Sequence, residues 1–454
     1  MIDVTKKGAA LAAAAAGDFS ALPIHNPAIE CASRARIRAI QLERLIAQVE
    51  WTYARVPWYR EKMDAAGVTP ADIKTLDDVC KLPFTDKTAL RDTFPYGLFA
   101  VPLDEVVELH ASSGTTGKPI VVGYNANDMD LWADCIMRLV QMAGVVPGDR
   151  AQMAFGYGMF TGGFGLHYGL QRLGCMMIPA GSGNTERQIQ MIQDYGTTVL
   201  VATPTYALHI CEVGERMGFD WEHSTLRVGL FGGEPCPPAL KAEIERRMHI
   251  VCTDNYGLTE VMGPGVSGEC LAARDMQHIA EDHFLWEVVD PETGEPVPEG
   301  EMGELVLTPL GKQAIPVLRY RTHDLTRVIT EPCACGRTTA RMQKVRSRSD
   351  DMLIIRGTNV FPSQVEDVLS GIPGVTPHYR ITVDNETGLD RMVVSVELKP
   401  EAFSDSFAEM DAFRRSVEEK LKSVLLVAAK VKLVEPGGIA RSTGKTKHVE
   451  DLRK

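Results

Sequence analysis

The chain has 454 residues, more than one hydrophobic core usually supports, so a large domain with a smaller companion is expected. Hydrophobic residues at 44% and charged residues at 24% describe a globular protein and exclude global disorder. A formal net charge of −12 disfavours nonspecific binding to nucleic acid or anionic membrane, points to small ligands, and is joined by no apolar run of about 18 residues that would span a bilayer.

Lys6 and Lys7 precede an alanine run from Ala9 to Ala16 that imitates a short signal peptide, but alanine is weakly apolar and the run is brief, so secretion is not expected. Ten cysteines without a dense framework fit a reducing cytoplasm. Residues 29–66 show helical periodicity with Trp51, Tyr53, Trp58 and Tyr59, which reads as helices packed on a larger body. Between 120 and 330, short apolar runs at 198–202, 227–231 and 304–308 alternate with helical patterns such as 186–195, the signature of an α/β fold with a mainly parallel sheet.

A charged stretch at 346–351, with Ser347 and Ser349, interrupts that pattern and reads as a domain hinge. The pattern then restarts. Ser363 and Glu366 have capping-box spacing, strands are expected at 378–383, 391–398 and 430–434, and a helix at 405–422, which together make a compact α+β unit. The predicted organisation is an N-terminal domain over 1–349 and a C-terminal domain over 350–454.

The loop Ser112-Ser113-Gly114-Thr115-Thr116-Gly117-Lys118-Pro119 is rich in hydroxyls and glycine and carries one cation. Its glycines allow close backbone approach, its hydroxyls and amides can donate to phosphate oxygens, and Lys118 can neutralise charge. By composition alone it is equally an ordinary surface loop. It is not a Walker A loop, which needs glycine where Ser112 stands and Ser or Thr where Pro119 stands. The tail segment from Gly438 to Thr446 has five residues instead of four between its glycines, and the glycines at 156–169 lack the dinucleotide fingerprint spacing.

Six segments occur in the order seen in adenylate-forming enzymes: the 112–119 loop, Phe231-Gly232-Gly233-Glu234-Pro235, the run from Asp254 to Glu260, the run from Tyr320 to Leu325, Arg348-Ser349-Asp350-Asp351, and Ser442-Thr443-Gly444-Lys445. The phrases at 94–101, 185–188 and 281–284 resemble phenylacetate-CoA ligases in particular. The resemblance implies a large multi-sheet N-terminal domain and a smaller mobile C-terminal domain. It also implies that Gly232, Gly233, Glu234 and Pro235 flank adenine, that Asn255 and Tyr256 lie against its edge and face, and that Asp324 holds the ribose hydroxyls with Arg348 steadying the same region. A carboxylate suits a diol because it accepts two hydrogen bonds. Without the motif order, Asp324 and Arg348 read as a surface ion pair.

Glu260 resembles the family's magnesium ligand, an oxygen donor of the kind a hard cation prefers, and Thr259 its phosphate contact. His323 stands where many members of the superfamily carry glycine, which puts the ribose contact in question. Lys445 matches the lysine of the first half-reaction, whose ammonium bridges the attacking carboxylate and the α-phosphate; taken alone it is a solvated surface lysine. For the second half-reaction the resemblance implies a swing of the small domain about Asp350. That swing brings up the loop from Arg356 to Pro362, with Gly357 beside the pantetheine arm of coenzyme A.

Phe155, Tyr157 and Phe160, interleaved with glycines, suit a pocket for a flat aryl acid, or else pack as core. Phe155 stands where many relatives carry Tyr. Cys270, Cys333 and Cys335 with His278 supply three sulfurs and an imidazole, the donors of a closed zinc site, with His283 the alternative imidazole and reduced thiols the plain alternative. The sequence is thus read as a cytoplasmic ligase joining an aryl or arylacetic acid, phenylacetate first, to coenzyme A with ATP and magnesium. The resemblance implies a homodimer. The rival readings are an adenylating enzyme that serves a carrier protein, and a nucleotide-binding protein without turnover.

Overall fold

A computed structural model of the chain describes residues 8–112, 119–345, 347–349, 353–356, 358–385, 390–404, 406–442 and 446–453. Ser113, Gly114, Thr115, Thr116, Gly117, Lys118, Asp350, Gly357 and Lys445 lie outside the described residues.

The Arg34–Arg55 helix starts where the Ser33 hydroxyl accepts the Arg36 amide at 3.3 Å. It stops at Val56, extended at φ −111, ψ 103, because Pro57 follows and bars the helical conformation from the residue before it. Ile37, Ile40, Gln41, Leu45, Gln48, Val49 and Thr52 form its buried face at three- and four-residue spacing. That face docks on the main body through Gln41 Nε2 to the Glu281 carbonyl (2.9 Å) and Gln48 Nε2 to the Lys312 carbonyl (2.8 Å). The alanine run forms a short helix, Ala9–Ala15, anchored by fully buried Leu11. Among the described residues no helix is long and apolar enough to cross a membrane.

A nine-stranded sheet carries the site. Arg150–Met153, Met176–Ile178, Val199–Ala202, Val228–Phe231 and Val251–Leu258 run parallel, joined by crossovers that include the helices Thr161–Leu173, Pro204–Arg216 and Pro238–Met248. Val199–Ala202 and Val228–Phe231 are buried at every position, as strands covered on both faces must be. The mainly parallel expectation holds only for this half. From Gly263–Cys270 onward the sheet continues antiparallel through Ala273–Ile279, Arg341–Gln343 and Val328–Ile329; the short links after Leu258 and Cys270 can close a hairpin but not a parallel crossover, whereas Arg341–Gln343 joins from far along the chain. A separate four-stranded antiparallel sheet orders Phe284–Val289, Gly303–Pro309, Tyr320–Thr326 and Ser347–Arg348.

Beyond residue 352 a second core forms around Val365, Leu369, Ile381, Val394, Val396, Val417 and Leu421. Its sheet runs Ala429–Val434, Arg391–Leu398, Val375–Asp384 and Val449–Asp451, covered by the helices Pro362–Ser370 and Phe407–Leu425. The first of these helices starts one residue before Ser363. Pro362 takes the first turn, where a missing amide costs nothing, and Gln364 Oε1 accepts the Phe361 amide at 3.0 Å in place of the Ser363 and Glu366 box.

The helices Ala126–Met142 and Thr161–Leu173 cross at glycine. A Cβ on Gly169 would sit 2.2 Å from Ile136 Cβ, and one on Gly165 would sit 2.3 Å from the Trp132 ring. Gly169→Ala is therefore expected to destabilise the N-terminal body by about 1–3 kcal/mol, read as a lower urea midpoint for its unfolding transition.

Candidate active site

Four neighbouring parallel strands end side by side, and the segments that leave their carboxyl ends carry most of the predicted site. In open α/β sheets this is where backbone amides and loop side chains are free to meet a ligand. Phe155, Tyr157 and Phe160 follow Arg150–Met153; Thr205 follows Val199–Ala202; Gly232 to Pro235 follow Val228–Phe231; Asn255 to Glu260 finish Val251–Leu258 and the turn beyond it.

Asn255 Nδ2 donates to the Phe231 carbonyl at 2.5 Å and lies so close to Gly232 that a Cβ there would stand 2.9 Å away. Gly233 is left-handed at φ +83. The Tyr256 hydroxyl donates to Asp324 Oδ2 at 2.5 Å, and Arg348 Nη1 donates to Asp324 Oδ1 at 2.9 Å. Asp324 and Arg348 face each other across paired strands, so the register sets this contact. Burial, with the Asp324 carboxylate beside it, pushes the Tyr256 phenol well above its ordinary pKa. His323 takes a left-handed conformation at φ +62, one that glycine adopts without strain, and its Nδ1 turns to Ser349 Oγ (3.2 Å) and Glu304 Oε1 (3.6 Å).

Glu260 is buried, and the Thr259 hydroxyl lies 3.1 Å from that of Thr161 at the start of a helix. Three side chains take carbonyls of the turn that follows: Lys312 Nζ at Val261 (3.0 Å), the Tyr124 hydroxyl at Met262 (2.6 Å) and Trp132 Nε1 at Pro264 (2.8 Å). Trp132 stacks on Tyr124 with centroids 4.8 Å apart, and Lys312 Nζ lies 4.7 Å from the centre of the Tyr124 ring. Burial lowers the Lys312 ammonium to about 8 against the raising charges of Asp128 and Glu260. None of these three supports was read from the sequence, because Tyr124 and Trp132 sit on a strand and the helix after it while Lys312 comes from a loop far along the chain.

Ser112 ends the Glu108–Ser112 strand and pairs with Ile120, so the register brackets the 113–119 connection. Phe155 lies 3.6 Å from where Gly233 would carry a Cβ. The Tyr157 hydroxyl meets His167 Nδ1 at 2.9 Å, and burial pushes that phenol up to about 12. Phe160 is 54% exposed and does not join them. The structure adds a buried His110, with Nε2 at 2.5 Å from Glu108 Oε1 and Nδ1 at 3.2 Å from the Met159 carbonyl, while the Tyr168 hydroxyl donates to the other oxygen of Glu108. The one signal for this group was the two-residue spacing that puts Glu108 and His110 on the same strand face.

The Glu234 side chain is already committed. Its Oε1 accepts the amide and hydroxyl of Thr205 at 2.9 and 2.5 Å, and its Oε2 accepts the amide of Thr446 from the C-terminal unit at 2.8 Å.

Away from this edge, Cys270, His278, Cys333 and Cys335 are buried with their donor atoms all within 4.8 Å of one another. His278 Nε2 faces Cys335 Sγ at 3.5 Å while its Nδ1 meets Thr339 Oγ1 at 3.0 Å, which fixes the ring. His283 instead meets Asp134 at 3.0 Å and Arg44 at 3.3 Å and stays outside the thiol group. Three sulfurs and one imidazole at this separation fit a tetrahedral zinc ion.

The family model described as AMP-binding enzyme matches residues 61–310, and that described as AMP-binding enzyme C-terminal domain matches 357–453. Fold and site therefore define an AMP-binding enzyme of the adenylate-forming class. The phenylacetate-coenzyme A ligase of Aromatoleum evansii is 48% identical over 440 residues, covering 95% of this chain and 99% of that protein. Its namesake from Thermus thermophilus is 47% identical over 444 residues, covering 95% and 100%. Two crystal structures of 2-hydroxyisobutyryl-CoA ligase, each 29% identical and covering 94% of this chain and 92% of that one, differ in fit: TM-score 0.88 in the postadenylation state with 2-HIB-AMP, and 0.70 in the thioesterification state with 2-HIB-AMP and CoA. The chain belongs to the phenylacetate-coenzyme A ligase family.

The strand that carries Asn255 and Tyr256 is tied down at Asp254, buried 3.9 Å from Lys344 Nζ, with its amide donating to Glu269 at 2.9 Å. Burial raises the Asp254 carboxyl to about 6, against the lowering charges of Lys344 and Lys241. The folded state then holds a proton that the unfolded chain releases near pH 4, so this contribution to stability is present below about pH 4 and lost by about pH 6. Relative to Asp254→Asn, the wild type is expected to lose on the order of 3 kcal/mol of unfolding free energy between those limits, measured by denaturant titration across pH.

Proposed function

We propose that the chain ligates an aryl or arylacetic acid, phenylacetate first, to coenzyme A through an acyl-adenylate, releasing AMP and pyrophosphate. The observation that carries this reading is the convergence of the Asn255–Tyr256–Asp324–Arg348 set with the docked tail at Thr446, on a chain nearly half identical to enzymes named phenylacetate-coenzyme A ligase. Those relatives favour coenzyme A over a carrier-protein acceptor.

In this reading Gly232, Gly233 and Pro235 border adenine with Asn255 at its edge and Tyr256 at its face. Asp324 takes the ribose hydroxyls, its two oxygens held apart by Tyr256 and Arg348. The Ser112 to Lys118 loop and Thr259 hold the phosphates. Glu260 would hold magnesium, which supplies charge neutralisation to the phosphates. The acid lies beside Phe155 and Tyr157 with its carboxylate toward the α-phosphate. The carboxylate oxygen forms a bond to phosphorus as pyrophosphate leaves, and Lys445 stabilises the charge gathered in that transition state. The thiolate of coenzyme A then attacks the acyl carbon beside Gly357, after rotation about Asp350 between a domain ending at 349 and one starting at 350, and AMP leaves. We place the enzyme, with all ten cysteines free, in the cytoplasm, and assign it the homodimeric state implied by its family.

Carboxylate-dependent exchange of label between pyrophosphate and ATP tests the first step, and silence across a panel of aryl acids would refute it. Lys445→Ala is expected to cut adenylation about 100–1000-fold while thioester formation from supplied phenylacetyl-adenylate stays near wild type; equal loss in both would contradict the two-state tail. We also assign zinc to Cys270, His278, Cys333 and Cys335. Elemental analysis of protein purified without chelator should return about one zinc per chain and much less for Cys335→Ser, whereas metal-free wild type would overturn the assignment.

A further inference from the structure

Resting on that reading, we infer that Glu234 is a positioning residue that clamps the tail in the adenylating arrangement, with Glu212, on the helix that Glu234 caps, as a second clamp. The carboxylate of Glu234 is divided between two bodies. One oxygen is held by Thr205 of the N-terminal body, and the other receives the Thr446 amide, while the Thr205 and Thr446 hydroxyls lie 3.0 Å apart. Thr205 sits in the first turn of the Pro204–Arg216 helix, so Glu234 also answers an amide that the helix leaves unsatisfied. Thr446 directly follows Lys445 in the sequence. The clamp therefore acts on the residue bonded to the one assigned to adenylation.

The same helix makes the second contact. Thr205, His209 and Glu212 recur at spacings of four and three and share one face. Glu212 meets three partners there: His209 Nδ1 at 3.8 Å, His378 Nε2 at 3.9 Å and Arg441 Nε at 3.8 Å, the last two from the C-terminal unit. Arg441 is itself aimed by a fork on Glu397, with both contacts at 2.7 Å. Burial pushes the Glu212 carboxyl up, and the two imidazoles with the Arg441 charge outweigh it and hold it well below the ordinary range. These cross-body contacts belong to an arrangement that fits the postadenylation ligase better (TM-score 0.88) than the thioesterification state (0.70). A rotation of the small unit for thioester formation has to break them together. The clamp therefore sets the balance between the two half-reactions without touching the reacting atoms.

Half-reaction kinetics test this. Glu234→Gln is expected to lower the kcat of adenylation about 10–100-fold with the KM for ATP within about threefold, and to leave thioester formation from supplied phenylacetyl-adenylate unchanged or faster. Glu212→Gln should shift the same ratio by about 2–5-fold. Thr205→Val, which keeps the helix amide, should act in the same direction and be non-additive with Glu234→Gln, and it decides the matter if Glu234→Gln does not fold. Equal loss in both half-reactions, or a loss carried by the KM for ATP, would overturn the clamp. A wild-type enzyme that adenylates no aryl acid would instead refute the proposed function itself.

Discussion

Parallel strands that end side by side leave a row of backbone groups and loop starts with no further strand partner, and the rest of this molecule is arranged around that edge. Because Val199–Ala202 and Val228–Phe231 are buried on both faces, the only open direction for chemistry is along the strands, past Phe231 and Ala202. Asn255 closes one side of Gly232, Phe155 approaches Gly233 from the other, and Glu234 points to the helix start at Thr205. The antiparallel sheet contributes the Asp324 and Arg348 pair by strand register alone. The deepest support is the trio of Lys312, Tyr124 and Trp132 beneath the turn after Glu260, where a buried ammonium keeps two carboxylates company in a region that burial otherwise makes costly for charge.

Much of this was legible because the chemistry-bearing segments keep their order along the chain, and because fully apolar runs such as 199–202 mark buried parallel strands whatever surrounds them. The thiol set was legible as donors, and the fold decides between His278 and His283 because only the former lies on the strand paired beside Cys270. Other features had no local signal. The antiparallel half of the sheet depends on two short connections and on Arg341–Gln343 returning from far along the chain, not on the strands themselves. The Val449–Asp451 strand is three residues long and exists by pairing with Val375–Asp384. Tyr168 reaching Glu108 and Lys312 reaching Val261 and Tyr124 join residues tens to hundreds of positions apart, which periodicity does not see. The start of the Pro362–Ser370 helix was misplaced since the Ser363 and Glu366 spacing mimics a cap that Pro362 and Gln364 actually form.

His323 illustrates how a departure from a family pattern is absorbed. Its left-handed backbone is the conformation that glycine would supply, and the imidazole is drawn away to Glu304 and Ser349, leaving Asp324 to Tyr256 and Arg348. The departure changes the flank of the site and spares its carboxylate. Glu234 shows the reverse: a residue whose segment is proposed to border the nucleotide has its side chain engaged in joining two bodies.

The central claim is that the acid's own oxygen bonds to the α-phosphorus before coenzyme A enters. Turnover of phenylacetate labelled with oxygen-18 in its carboxyl group, with unlabelled ATP and coenzyme A, tests this directly by mass spectrometry of the nucleotide product. The account predicts one labelled oxygen in AMP and none in pyrophosphate. Unlabelled AMP, or label recovered in a free phosphate, would contradict it.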